Sequence, residues 1–156
     1  MPASSPSTDR DSSKPRSLFA RWRALGWRDK RRLFALLLLL PTTHLALAMF
    51  RLQRVRDWLE RASTIRAPSA CTPEMLADAI RLAELAEIAG RRGAVAASCL
   101  RQSLVVWWWL RRRGLPAQLR IGTIGSGESF AAHAWVELDG VALAQKTLPY
   151  QSIGGL

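Results

Sequence analysis

Residues 97–114 read ASCLRQSLVVWWWLRRRG. From Leu104 to Leu110 every residue is apolar, so a helix built on this stretch has no face it can leave in water and must lie at the centre of the fold. Its predicted start is Ser98 or Cys99 and its stop is Gly114, with Pro116 close behind. The Arg111-Arg112-Arg113 run then falls in the last turn, where positive charge complements the helix dipole. A solvated helix end accounts for that run as readily as a binding patch does.

Downstream of Pro116 the period changes from helical to alternating. Gln118 to Gly122 (QLRIG) alternates polar and apolar residues, and Phe130 to Leu138 (FAAHAWVEL) does so again. His133, Trp135 and Glu137 share one face of that strand, and Ala134, Val136 and Leu138 the other. Residues 122–129 (GTIGSGES) read as a glycine-rich loop that lacks the Gly-Lys-Ser/Thr closure of a phosphate-binding loop. Asp139-Gly140 is a two-residue hairpin turn, Val141 to Leu143 starts a return strand, and TLPYQSIGGL (147–156) reads as turn-like. The predicted class is α+β: N-terminal helices and a central helix packed on a small antiparallel sheet.

Upstream, residues 1–17 are rich in serine and proline and read as a disordered tail. A basic, apolar helical segment is expected over 18–66, and the main globular unit over 67–156. Leu18 to Arg32 suits one amphipathic helix or two short ones, and a further basic helix should end near Arg66. Residues 33–50 (LFALLLLLPTTHLALAMF) carry no full charge. Three readings stand: a buried helical hairpin broken at Pro41, a helix lying on or dipping into an anionic membrane surface, and a true span. His44 in this segment reads as a packing residue. After the linker Ala67–Ala70, Thr72-Pro73-Glu74 supplies an N-cap, a proline at the first helical position and an acid in the first turn. Met75, Leu76, Ala79, Leu82, Ala83, Ala86 and Ile88 continue that helix, with Gly90 as its expected C-terminal glycine. Cys71, just before the cap, reads as structural.

The 156-residue chain has 23 Lys and Arg against 12 Asp and Glu, a formal charge of +11. Such a balance suits an anionic partner: nucleic acid, an acidic membrane or an acidic peptide. Nucleic-acid binding is the weakest of these, since the seven tryptophans sit mostly in apolar runs and no recognition motif appears. Two cysteines are too few for a disulfide framework, and no secretory cleavage signal stands near Met1. The expected setting is therefore the cytoplasm, with contact at a membrane surface left open. No cofactor and no metal site is expected.

In that setting the reactivity of a cysteine matters more than its pairing. Cys99 opens the central helix, where free amides and the macrodipole favour an anion. The preceding Gly93–Ala97 run is small enough for a substrate backbone to approach, and the helix-start amides can hold an oxyanion. A thiolate nucleophile needs a proton-carrying partner, and His133 is the histidine that lies on a strand. The bland alternative is a small buried hydrophobe and an incidental strand histidine.

Taken together, Cys99-Leu100, Ser103-Leu104, Trp108 to Ala117 (WWLRRRGLPA), Leu119 to Gly122 (LRIG) and Ala132 to Glu137 (AHAWVE) resemble the B-type leader peptidases of lasso-peptide biosynthesis. Those enzymes are similar to the transglutaminase-like, papain-related cysteine proteases. The resemblance is close over 99–143. It implies a cytoplasmic cysteine peptidase, with Cys99 as nucleophile and His133 as general base and acid, that cuts the leader from a ribosomally made precursor peptide. It further implies a separate leader-recognition protein and an ATP-using cyclase as partners. One departure stands out. The family's aspartate, about a dozen positions after the histidine, has no counterpart in Leu143–Thr147 (LAQKT). Either the amide oxygen of Gln145 orients the imidazole, or the third member is missing and the activity is weakened. The alternative function is a catalytically degenerate transglutaminase-like scaffold of a membrane-associated biosynthetic complex. Asp139 reads as turn chemistry, and Glu137 is too far from His133 along an extended strand, at roughly 13 Å.

Overall fold

A computed structural model describes residues 25–63, 71–93, 98–124, 131–143 and 151–155. The tail 1–17, Gln145 and residues 125–129 of the expected 122–129 loop therefore lie outside the described residues, while Gly122 to Ile124 belong to a strand rather than to that loop. Helix α1 (Trp27–Met49) leads into α2 (Leu52–Ala62), followed by α3 (Pro73–Arg92), α4 (Cys99–Arg112) and strands β1 (Gln118–Ile124), β2 (Ala131–Leu138), β3 (Val141–Leu143) and β4 (Gln151–Gly155). The class is α+β.

The expected break at Pro41 does not occur: α1 runs unbroken for 23 residues through it. Proline removes one rung of the helical ladder, the one to the Leu37 carbonyl, and the helix continues past the gap. Thr42 and Thr43 each donate a hydroxyl hydrogen bond to the Leu39 carbonyl at 2.8 Å. Leu33, Leu36, Leu40 and Thr43 are meanwhile buried on both sides of the proline, so packing holds the axis. The hairpin turn falls later, where Phe50 and Arg51 leave helical space and Phe50 meets Trp58 edge-on at 4.8 Å. The second helix ends at Ala62, earlier than Arg66, with the Ser63 amide bonded back to Leu59 and Glu60.

Helix α3 begins as its sequence dictates, with the Thr72 hydroxyl accepting from the Met75 amide at 3.3 Å and Pro73 at the first position. Its end differs. Gly90 lies inside the helix and Gly93 caps it. A Cβ at Gly90 would collide with the Gln102 side-chain amide, so the glycine serves the close approach of α3 to α4. The buried face consists of Ala79, Leu82, Ala83, Leu85, Ala86 and Ala89, whereas Met75 and Ile88 are exposed.

Helix α4 is central, with Leu104, Trp107 and Leu110 almost wholly buried. Trp108 and Trp109 are the exceptions to its all-round burial, packed only partly against the core. One core joins Leu36 and Leu40 of α1, Leu82 and Leu85 of α3, α4, and Leu119, Val136 and Leu138 of the sheet.

The four-stranded antiparallel sheet has the order β3-β2-β1-β4. Leu119 sits opposite Val136, which sets the core face of β1 and β2. The hairpin turn is as predicted: Asp139 and Gly140 both take left-handed backbone, at φ 52° and 76°, as a type I′ turn requires. The C-terminal segment departs from expectation, since Gln151–Gly155 is a strand rather than a turn. Its sequence has no alternation to announce this; the free edge of β1 supplies the ladder.

Candidate active site

Cys99 is the first helical residue of α4, preceded by Ser98 in extended conformation. The Ser98 side chain makes no capping hydrogen bond, so it does not occupy the amides of the first turn, which have no intrahelical acceptor. The thiol is half-buried and forms no disulfide.

One turn further on, the buried Ser103 donates its hydroxyl to the Ala134 carbonyl at 2.9 Å. That bond fastens the helix to the strand at the residue next to His133. Cys99 lies four residues before Ser103, about 6 Å along the helix axis, so the same fastening holds thiol and imidazole near each other. Both border one cleft of about 100 Å³, together with Gln102, Ser103, Trp135 and Glu87. The cleft thus brings together two of the three residues singled out from sequence.

The imidazole is held from behind. The rings of His133 and Trp135 lie 6.1 Å apart and nearly parallel, at 14°. The Trp135 indole donates to Glu137 at 3.0 Å, and Glu137 also takes the Arg120 guanidinium at 2.8 Å. This chain of contacts sets the tryptophan against which the imidazole rests. Gly122 lies opposite His133 in the register, so β1 places no side chain over the ring. Burial pushes the His133 imidazole below its ordinary value, which favours the neutral, proton-accepting form.

Glu137 is engaged by Arg120 and Trp135, and Asp139 sits exposed at the hairpin turn. Cys71 is half-buried against the core, and His44 is half-buried on α1, outside the cleft. The arginine run is largely internal in its contacts. Arg111 lies over Trp107 and pairs with Glu60, Arg112 lies over Trp108, and Arg113 pairs with Asp78, which also binds Arg32. Among the described residues no group of three or more His, Cys, Asp or Glu side chains comes together as a metal would require.

Sequence reasoning gave no role to Ser103, Gln102 or Glu87. Ser103 did carry a signal: a hydroxyl one turn after Cys99, at the edge of an otherwise apolar run. Gln102 and Glu87 carried none, because their meeting depends on how α3 crosses α4.

The α+β arrangement, a central helix packed on a small antiparallel sheet, agrees with the comparison to protein families. The family model described as transglutaminase-like superfamily matches residues 39–153. No curated protein and no solved structure matches the chain. The family match covers most of the chain, from the second half of α1 into β4, and spans both cleft residues: the chain belongs to the transglutaminase-like superfamily.

Proposed function

We propose that this chain is a cysteine peptidase that removes the leader from a lasso-peptide precursor. The observation that carries the reading is the shared cleft, in which Cys99 heads α4 and His133 lines the opposite wall. Cys99 attacks the scissile carbonyl as His133 takes the thiol proton, and the carbonyl oxygen gains negative charge beside the first-turn amides of α4. The tetrahedral species collapses to a thioester, and His133 passes its proton to the departing amine. Water, deprotonated by His133, then hydrolyses the thioester and restores the thiol. Gln145 is the proposed orienter of the imidazole. A separate leader-recognition protein and an ATP-using cyclase are the proposed partners, on the strength of the sequence resemblance over 99–143. The basic surface suits an acidic leader or partner.

The test is cleavage of a candidate precursor with its recognition protein, read by mass spectrometry of released leader. Cys99→Ala should bind precursor and release nothing; full cleavage by that variant would overturn the reading. A second reading, a degenerate scaffold, is favoured by one observation: no carboxylate stands in Leu143–Thr147. Iodoacetamide separates the two, because a catalytic Cys99 should be modified faster at neutral pH than Cys71 in the same chain, and a scaffold cysteine should not.

A further inference from the structure

The outward face of α1 is an apolar stripe with nothing packed on it among the described residues. Trp27, Phe34, Leu38, Leu45 and Met49 are 74%, 63%, 57%, 61% and 67% exposed. At about 100° per residue these five positions fall within an arc of about 60°. Thr42 lies in the same stripe, and its hydroxyl is turned back onto the Leu39 carbonyl, which leaves its methyl group to face outward. From Phe34 to Met49 the exposed positions carry no charge. So long a row of large apolar side chains in water marks a contact surface.

Length and composition alone would let α1 cross a bilayer. Its other contacts hold it flat. The opposite face buries Leu33, Leu36 and Leu40 in the core. Near its start, Asp29 pairs with Arg81 at 3.0 Å and Arg32 with Asp78 at 2.7 Å, both on α3. Insertion across the bilayer would strip these contacts, whereas docking in the plane keeps them.

Charge identifies the occupant. Arg28, Lys30 and Arg31 surround one end of the stripe, and Arg51 and Arg54 stand just beyond the other. A second copy laid antiparallel would bring one cationic end against the other, and a parallel copy would match each end with itself. Both arrangements repel. A plane of anionic headgroups with an apolar layer beneath complements both ends and the middle at once. We infer that α1 is an in-plane docking helix for an anionic lipid bilayer, with Phe34, Leu38, Leu45 and Met49 at the acyl boundary and the flanking cations among the headgroups. Beside Leu38 a groove of about 520 Å³, walled by Leu39, Trp108 and Trp109 and edged by Arg112, extends the apolar surface sideways. This inference does not depend on the peptidase reading.

The experiment is flotation of the full chain with vesicles of phosphatidylcholine alone and of phosphatidylcholine with phosphatidylglycerol. Binding should be at least about tenfold tighter to the anionic vesicles. The paired substitution Leu38→Glu and Leu45→Glu, at two exposed positions, should abolish it while helical content and thermal melting stay as in the wild type. Arg51→Glu with Arg54→Glu should weaken anionic binding and leave the melt unchanged. Equal affinity for neutral and anionic vesicles, or undiminished binding by the stripe variant, overturns the inference. So does a wild-type chain that ignores both vesicles. A wild-type dimer in light scattering that the stripe variant dissolves would assign the face to a second copy instead, and capture of an acidic peptide in place of vesicles would assign it to a peptide.

Discussion

The Ser103 hydroxyl and the Ala134 carbonyl are joined by a 2.9 Å hydrogen bond between the central helix and the sheet. Cys99 stands one helical turn from the donor and His133 one residue from the acceptor, so a single buried contact sets the spacing between the two halves of the proposed chemistry. Ser103→Ala leaves the carbonyl without its partner and should cost about 1–3 kcal/mol in denaturant unfolding. In a precursor-cleavage assay it should lower kcat more than it raises KM. Ser103→Thr, which keeps the hydroxyl, should recover part of that loss; equal kcat in all three chains would reduce Ser103 to an ordinary packing residue.

The pH dependence of cleavage follows from the imidazole. Burial lowers its affinity for protons, so a mechanism in which neutral His133 accepts the thiol proton loses activity only as pH falls through a midpoint below the ordinary histidine value, about 6.5. The acidic limb of kcat/KM measures this directly. A limb lying above that value would mean that a resting thiolate holds the imidazolium, and that attack starts from the ion pair.

Asp78 ties three helices together, since it sits on α3, pairs with Arg32 of α1 and with Arg113 at the end of α4. Burial pushes its carboxyl up, but the hydrogen bonds and charges of Arg32 and Arg113 together hold it below the usual carboxylate range. A depressed acid contributes stability that is present above its unfolded value and lost as pH falls through the folded one. Asp78→Asn should therefore cost about 1 kcal/mol at neutral pH, a modest figure because the pair is partly exposed. Urea titrations of the two chains should converge as pH drops below about 4.

Gly90 separates stability from site geometry. Alanine there improves helix propensity by about 1 kcal/mol but drives a methyl group into the Gln102 side chain, which must shift to make room and which lines the cleft. Gly90→Ala should unfold within about 1 kcal/mol of the wild type, in either direction, yet cleave poorly. Adding Gln102→Ala to it should restore whatever activity the clash removed.

Much of this fold was legible because its signals are local. The Thr72-Pro73 cap, the Asp139-Gly140 turn, the alternation from Ala131 to Leu138 and the all-apolar middle of α4 each depend on residues within a few positions of one another. What was not legible depends on distant partners. Pro41 reads as a break until Leu36 and Leu40 before it and Thr43 after it are seen buried. Gly90 reads as a stop until α4 is known to cross there. Gln151–Gly155 has no strand pattern, and pairs because β1 has an edge to offer. The same division holds in the cleft. The helix-start cysteine and the strand histidine announced themselves, while Glu87 and Gln102 reach it only through the crossing of α3 and α4. Gln145 lies outside the described residues.

The order of elements along the chain has a temporal meaning as well. The four helices among the described residues all precede Arg113, and their mutual contacts can form while the ribosome is still adding the strands. A nascent chain at that stage carries the sulfur but has not yet received the ring that shares its cleft, for His133 arrives with a sheet whose central strand must also wait for Gln151–Gly155. Under the proposed chemistry, reactivity would be deferred to the last step of folding, and a half-made molecule would stay harmless to its neighbours.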